Sequence, residues 1–144
     1  MSPKSMIEIN NLTTSRVDED FLKKTAKMVL EGEHPSKGRV PEEVNLSIAL
    51  VGQGRMRELN KKYLGKNRAT DVLAFGDNDG LGEIVICLRE VKKNTKRYET
   101  TFEKELSKVL IHGILHLLGY NHEKSEVQAK KMEEKENYYL EKLK

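Results

Sequence analysis

The sequence lacks several features that would point to a secreted or membrane-bound protein. Its 144 residues include one cysteine, Cys87, which excludes an intramolecular disulfide and fits a reducing cytosol. No stretch approaches the roughly 20 consecutive apolar residues that a membrane-spanning helix needs. Residues 1–11 also carry no apolar segment behind a basic start, as a signal peptide would. We therefore expect a cytoplasmic protein without a membrane anchor.

Internal repeats, low-complexity tracts and Pro/Gly/Ser-rich linkers are also missing. A chain of this length is expected to form one domain, here residues 1–144. The formal net charge of +3 is too small to indicate nucleic-acid binding by itself. What remains is a globular domain with a heavily charged surface.

The spacing of apolar residues predicts strands and helices in mixed order. Strands are predicted at residues 6–11, 44–52, 70–76 and 82–88, and helices at residues 18–31, 56–64, 89–98, 101–118 and 125–143. Because these elements do not alternate strictly, the predicted fold class is α+β (α/β-like). We expect a small mixed β-sheet packed with about five helices.

The helix predicted over residues 101–118 is the clearest element. Thr100 and Glu103 have the spacing of a capping box at its start, and Gly119 is expected to end it in a left-handed conformation. Its second half, VLIHGILHLL, is apolar on every side, which is typical of a helix at the centre of a domain. We therefore expect a buried central helix with the sheet covering one side.

Three of the four histidines lie on this helix or just beyond it. His112 and His116 are one turn apart on a single face, where two imidazoles can reach one metal ion. A turn at Gly119 would allow His122 to complete a three-nitrogen set. Three protein ligands with an open fourth position are typical of catalytic zinc. A lone buried histidine is more often a hydrogen-bonded core residue, but three at this spacing favour one Zn²⁺ per chain. Three imidazoles also accept Ni²⁺ or another divalent metal.

The same spacing matches H-x-x-x-H-x-x-G-x-x-H, the zinc frame of metzincin proteases. Those enzymes need a glutamate directly after the first histidine as a general base, and Gly113 stands at that position here. A glycine cannot take a proton from water. The frame therefore predicts metal binding and argues against efficient peptide hydrolysis, with a zinc metallopeptidase left as an alternative.

Positive charge is concentrated in two central segments. Residues 55–68 carry six basic residues and one acidic residue, and residues 89–97 carry five and one. Such segments are typical of a phosphate-binding surface, although two solvated helix faces would look the same. A bound zinc ion can promote phosphodiester hydrolysis without a protein base, because it lowers the pKa of a bound water and polarises a phosphoryl oxygen. These observations favour a zinc hydrolase that acts on nucleic acid.

Three sequence blocks resemble a known family. HGILHLLGYNH, residues 112–122, resembles the H-G-x-L-H-L-x-G-Y-D-H signature of the YbeY family of bacterial endoribonucleases. ELNKKYLGKNRATDVLAF resembles the family's L-N-x-x-Y-R-x-x-x-x-P-T-D-V-L-S-F, and LGEIVIC resembles its L-G-D-I-x-I. The three blocks occur in the family's order, which makes a coincidental match of the histidine signature implausible.

The resemblance implies a single-strand-specific, zinc-dependent endoribonuclease in ribosome biogenesis. It would mature the 3′ end of small-subunit (16S) ribosomal RNA and take part in ribosome quality control. It implies His112, His116 and His122 as zinc ligands, and single-stranded ribosomal RNA and the ribosome as partners. We expect a monomer that binds neither DNA nor membranes. The catalytic group stays unassigned, with a zinc-bound water as the candidate, and the general base is unassigned as well.

The chain departs from the family pattern at functional positions. Leu64 stands where the family has an arginine thought to face the phosphate, and Arg68 is the candidate substitute. A solvated loop residue is the alternative interpretation of Arg68. Asn121 replaces the signature aspartate and brings no charge near the metal. A further alternative is a non-catalytic, zinc-stabilised ribosome-associated protein, in which Cys87 would close the site; otherwise Cys87 belongs to the core.

Overall fold

One mixed sheet and five helices make up the part of the chain that the structure, a computed structural model, describes: residues 4–33, 43–76, 80–120 and 125–143. The strands are β1 (Lys4–Asn11), β2 (Glu43–Val51), β3 (Val72–Gly76) and β4 (Gly82–Cys87). The helices are α1 (Glu19–Glu33), α2 (Gln53–Leu64), α3 (Leu88–Arg97), α4 (Phe102–Leu117) and α5 (Glu126–Lys142).

The strands lie in the order β1-β2-β4-β3. Strand β2 pairs in parallel with β1 and with β4, whereas β3 is antiparallel to β4. Alternate residues of β2 belong to two apolar clusters, because successive side chains of a strand point to opposite faces. Leu46, Ile48 and Leu50 join the larger cluster with α1, α4 and α5. Val51 joins the smaller one, where Met56 of α2 covers the other face.

The predicted α+β fold with a small mixed sheet and five helices is confirmed. Two details of the prediction were wrong at helix starts. Helix α2 begins at Gln53, three residues before the predicted start. The cap of α4 is Thr101, whose hydroxyl accepts a hydrogen bond from the Lys104 amide at 3.1 Å, so the capping box predicted from Thr100 does not form. None of the five helices has the length and apolarity needed to span a membrane.

Helix α4 lies at the centre of these elements, in contact with α1, α3, α5, β3 and β4. Most of its apolar side chains are fully buried, among them Leu110, Ile111, Ile114 and Leu115. The helix is central as predicted, but one stripe of its second half is not buried. His112 is partly exposed and His116 is exposed, because that stripe faces a cleft and is not covered by another element.

Gly113 allows α4 to lie close against strand β4. A Cβ atom at this position would lie 3.2 Å from two carbons of Ile84, which is closer than side chains normally approach. Gly113 is buried, and a side chain there would crowd Ile84 on the sheet. The position where metzincins have their glutamate is therefore, in this chain, a point of close helix–sheet contact.

Replacing Gly113 with alanine is expected to stabilise the protein less than the same change in an open helical position. Alanine is favoured over glycine in a helix by about 1 kcal/mol, but crowding a packed interior costs about 1–3 kcal/mol. Gly54 of α2 is a matched control, since nothing lies within 4 Å of a Cβ built there. Denaturant unfolding should place Gly113→Ala about 1–3 kcal/mol below Gly54→Ala. Equal gains in both variants would contradict the close packing.

Candidate active site

A cleft of about 800 Å³ runs along the exposed stripe of α4. Its walls come from the end of α2 and the loop that follows, from β3, from α3 and from one side chain of α5. The chemistry-bearing residues that line it are Lys66, Arg68, Asp71, Asn94, Glu105, Lys108, His112, His116 and Glu136. The two histidines therefore share one concave surface with three cationic side chains and with five carboxylate or amide side chains, one of which is Asn60.

His112 is held by a carboxylate from the C-terminal helix. Its Nδ1 lies 2.5 Å from Oε1 of Glu136, and Glu136 is mostly buried. A carboxylate accepts hydrogen bonds, so this contact keeps the proton on Nδ1 and leaves the lone pair on Nε2. Imidazoles that bind metals are commonly oriented in this way by a carboxylate on the other nitrogen. Neither Glu136 nor its role was predicted from the sequence, since it lies 24 residues from His112 in a charged helical run.

His116 lines the same cleft one helical turn further along and is exposed. The third predicted ligand, His122, lies outside the described residues. Within those residues, no group of three or more His, Cys, Asp or Glu side chains could hold a metal ion. Two imidazoles on one helical face, with the Nδ1 of His112 already committed to Glu136, nevertheless supply donors that suit zinc. The donor chemistry therefore fits a metal, and the complete set depends on His122.

Arg68 lies in the cleft, as does Leu64, the position where the family has its arginine. The loop that carries Arg68 starts at Gly65, which has the left-handed φ of 68° that a helix end favours. Buried Asn60 holds this loop: its side-chain Nδ2 donates to the Arg68 carbonyl at 2.9 Å, and its backbone carbonyl accepts from the Lys66 amide. The contacts thus fix the backbone on which both cations stand.

The two basic segments identified in the sequence differ in whether their basic side chains line the cleft. Lys66 and Arg68 from residues 55–68 line the cleft, but none of the basic residues of 89–97 is among the residues that line it. Of the two segments interpreted as a phosphate-binding surface, only the first contributes basic side chains to this cleft. Sequence reasoning also missed Lys108, which lines the cleft from α4. Its position four residues before His112, on the same helical face, was the signal that could have found it.

Asp71 connects two walls of the cleft. Its Oδ2 accepts a hydrogen bond from Asn94 Nδ2 at 3.3 Å, which joins the start of β3 to α3. The carbonyl of Asp71 also accepts from the Cys87 amide at 2.9 Å. The Asp71 side chain therefore bonds to a side chain of α3, which belongs to another wall of the cleft.

Cys87 lies in the smaller apolar cluster with Val51, Met56 and Val85 and is fully buried. Burial raises the pKa of its thiol, which keeps the sulfur protonated. It is not among the residues that line the cleft. These observations favour its interpretation as a core residue over a fourth metal ligand.

Glu33, a buried carboxylate at the end of α1, is hydrogen-bonded to residues from the C-terminal part of the chain. It accepts hydrogen bonds from Tyr120 at 2.6 Å, from Lys135 at 3.2 Å and from Tyr139. A Cβ at Gly32 would lie only 2.5 Å from the Tyr139 hydroxyl, so glycine makes room for that contact. Glu33 thereby anchors α5, and one residue after Lys135 the same helix presents Glu136 to His112.

The hydrogen bonds around Glu33 outweigh the cost of burying its charge. Burial alone would raise the pKa of this carboxyl, but hydrogen bonds from Tyr120, Tyr139 and Lys135 hold it below the ordinary value of 4.5. Burial and the neighbouring carboxylate raise the pKa of Tyr139, which therefore stays a donor. Near neutral pH the network is therefore ionic at Glu33, and the Tyr139 hydroxyl is neutral.

The cleft thus combines helical histidines, an orienting carboxylate and exposed cations, a set of groups that suits hydrolysis of a phosphate ester. The sequence profile described as endoribonuclease YbeY matches residues 8–144. A protein named endoribonuclease YbeY from Thermotoga neapolitana is 46% identical over 101 residues, which cover 69% of this chain and 68% of the relative. One of the same name from Thermosipho melanesiensis is 32% identical over 132 residues, which cover 90% and 91%.

A solved structure agrees with these sequence matches. The solution structure of a Thermotoga maritima protein superposes with a TM-score of 0.67 at 35% identity and covers 94% of this chain and 87% of that one. The chain belongs to the endoribonuclease YbeY family.

Loss of the Glu33 charge is expected to destabilise the protein in a pH-dependent way. The unfolded chain takes up a proton at Glu33 near pH 4.5 and the folded chain only at lower pH, so the stabilisation is complete above pH 4.5 and is lost as the pH falls through the folded pKa. Glu33→Gln should lower the free energy of unfolding by about 2 kcal/mol at pH 7. Denaturant melts at several pH values should show this gap shrinking in acid.

Glu31→Gln is the matched control for this experiment. Glu31 lies on the same helix but is exposed, and its ion pair with Lys27 spans 3.9 Å. Exposed pairs of this kind contribute about 0–1 kcal/mol, so the control should follow the wild type at every pH. A Glu33→Gln gap that stays constant with pH would contradict the depressed pKa.

Proposed function

We propose that this protein is a single-strand-specific, zinc-dependent endoribonuclease that acts in ribosome biogenesis. Its substrate would be ribosomal RNA, with cleavage maturing the 3′ end of the small-subunit RNA, and it would also serve ribosome quality control. It would act as a monomer in the cytoplasm, with the ribosome as its partner. The observation that carries the proposal is the placement of His112 and His116, with Glu136 behind His112, in a cleft that also presents three cations.

His112, His116 and His122 would hold the zinc ion. When bound, zinc would lower the pKa of a water molecule and polarise a phosphoryl oxygen. Glu136 keeps the proton of His112 on Nδ1 and orients the ring, which favours donation from Nε2. The side chain that serves as general base stays unassigned.

The cations would bind the phosphates of the RNA on either side of the scissile bond. Lys66 and Arg68 approach from the loop after α2, and Lys108 approaches from α4. Their charges would also stabilise negative charge that grows on the phosphate in the transition state. Arg68 takes the role of the family arginine in this proposal, since Leu64 cannot.

A metallopeptidase gains no support from the geometry. That reaction needs a glutamate directly after the first histidine, and that position is Gly113, where a Cβ would crowd Ile84 at 3.2 Å. The decisive experiment incubates metal-quantified protein with a single-stranded ribosomal RNA fragment, with its duplex form and with an unstructured peptide. Cleavage of the single strand alone is expected, whereas cleavage of the peptide alone would overturn the proposal.

Replacing the ligands and their supporting carboxylate should separate metal binding from folding. His116→Ala should lose most of its zinc and its RNA cleavage. Glu136→Gln should keep the fold but bind zinc about 10–100-fold more weakly, as expected when the carboxylate behind a liganding histidine is lost. Titration with a competing chelator measures both. Glu133→Gln, exposed on the same helix, is the control, and an affinity of Glu136→Gln equal to that control would remove Glu136 from the site.

Arg68→Ala should weaken RNA binding and reduce its dependence on salt. Each phosphate contact contributes about 0.7 to the slope of log affinity against log salt for a single strand, so the slope should fall by up to that amount. If Arg68 also faces the reacting phosphate, single-turnover cleavage should fall further than binding, because charge on the phosphate grows in the transition state.

Arg97→Ala is the informative control for Arg68. Arg97 is exposed and belongs to the second basic segment, which does not supply basic side chains to the cleft. It should leave affinity, salt slope and rate near wild-type values. Equal effects of the two variants would mean that RNA binds through the general surface charge and not in the cleft. If Arg68→Ala has no effect, Arg68 is a solvated surface residue without a role in RNA binding.

A further inference from the structure

Two tyrosines expose their rings at the edge of the cleft. Tyr63 is 54% exposed and Tyr98 is 59% exposed, although both line the same cavity as His112 and His116. Large aromatic side chains contribute strongly to stability when buried, whereas these two keep over half of their surface open beside a polar cleft. The two rings come from different walls, Tyr63 from the last turn of α2 and Tyr98 from the residue after α3.

Each ring contacts a side chain that also lines the cleft. The Tyr63 ring packs against Phe75 of β3 with 5.1 Å between centroids and a tilt of 59°. Lys108 Nζ lies 5.7 Å from the centroid of Tyr98. Both tyrosines are therefore backed by a neighbour that lines the cleft, and both keep more than half of their surface available.

The backbone that presents Tyr98 has an unusual conformation. Glu99, the next residue, has a φ of 50°, in the left-handed region that residues with side chains seldom adopt. Hydrogen bonds from the Tyr98 amide to the Asn94 carbonyl and from the Thr100 amide to the Thr95 carbonyl close this turn at 2.9 and 3.0 Å. The turn ends α3 and fixes the position from which the ring projects.

We infer that Tyr63 and Tyr98 are stacking platforms for unpaired nucleobases, one on each side of the cleft. Aromatic rings beside a cationic groove are the usual means of binding single-stranded RNA, with the rings taking the bases and the cations taking the phosphates. Here the cations are Lys66, Arg68 and Lys108. A base within a duplex is already stacked and paired, so these rings would select single strands, and the larger purine rings would bind better than pyrimidines.

This inference rests on the proposed function, since it names which part of an RNA substrate the same cleft recognises. The combination of rings with three cations favours RNA over an apolar peptide, which would not need the cations. The test uses short 2′-O-methyl oligonucleotides of adenosine and of uridine, together with an abasic strand of the same length. Binding is followed by fluorescence anisotropy, and cleavage of unmodified RNA is measured in parallel.

The variants are Tyr63→Leu and Tyr98→Leu, with Tyr63→Phe and Tyr98→Phe as conservative partners. Tyr138→Leu is the matched control, because Tyr138 is 50% exposed on α5 and is not among the residues that line the cleft. Each leucine variant should bind oligoadenylate about 5- to 100-fold more weakly, oligouridylate less so, and the abasic strand as the wild type does. The phenylalanine variants and Tyr138→Leu should bind like the wild type.

A readout on the unmodified protein keeps the test independent of how the variants fold. The chain has five tyrosines and no tryptophan, so its emission reports on tyrosine directly. Oligoadenylate should quench this emission and the abasic strand should not. The absence of base-dependent quenching would overturn the inference.

Three other results would also overturn it. Leucine variants that bind oligoadenylate like the wild type would show that the rings do not stack on bases. Equal weakening toward the abasic strand would assign the rings to packing. Binding of an apolar peptide that depends on the tyrosines, without an effect on RNA, would identify a peptide groove. In all three cases RNA cleavage by the wild type would leave the proposed function intact, whereas no binding and no cleavage of any strand would contradict both.

Discussion

The close approach of helix α4 to strand β4 is the constraint on which the site depends. Gly113 has no side chain, and the carbons of Ile84 occupy the space next to it. With this face of the helix against the sheet, the stripe that contains Lys108, His112 and His116 faces the cleft. One helix therefore serves both as the centre of the core and as the floor of the site, because its apolar and polar residues lie on different faces.

The C-terminal helix is attached to the core through a charge. Glu33, at the end of α1, is fully buried and accepts hydrogen bonds from two tyrosines and Lys135. Consecutive residues of α5 then make contacts of two kinds: Lys135 anchors the helix and Glu136 holds His112. A buried carboxylate with several donors is costly to leave incompletely bonded. The network thus ties the orientation of a site histidine to the correct docking of a distant helix.

The cleft assembles its remaining groups from segments that are far apart in the chain. The loop after α2 supplies Lys66 and Arg68, and α3 supplies Asn94, whose amide joins it to Asp71 of the opposite wall. Asn60 fixes the loop from below by bonding the Arg68 carbonyl. The side-chain amides of Asn60 and Asn94 therefore fix parts of the cleft walls, so that exposed side chains on these walls have defined positions.

The amino-acid sequence by itself determined the elements and their class. Hydrophobic periodicity identified the strands and helices, the glycines at 65 and 119 marked helix ends with positive φ, and the four-residue spacing of His112 and His116 placed both on one face. These signals are local, since they depend on geometry within one helix or strand. The family signature added the third histidine and the expected chemistry.

Only the tertiary structure decided which side chains meet. Glu136 lies 24 residues from His112, and Glu33 lies 87 residues from Tyr120, so no sequence period connects them. The second basic segment appeared equivalent to the first, yet only the first contributes cations to the cleft. Residue type and spacing describe what one element can present, whereas the packing of α4 against β4, α3 and α5 selects the partners. The physical reason is that hydrophobic periodicity and residue spacing specify the faces of a single helix or strand. Contacts between elements depend on how those helices and strands pack together.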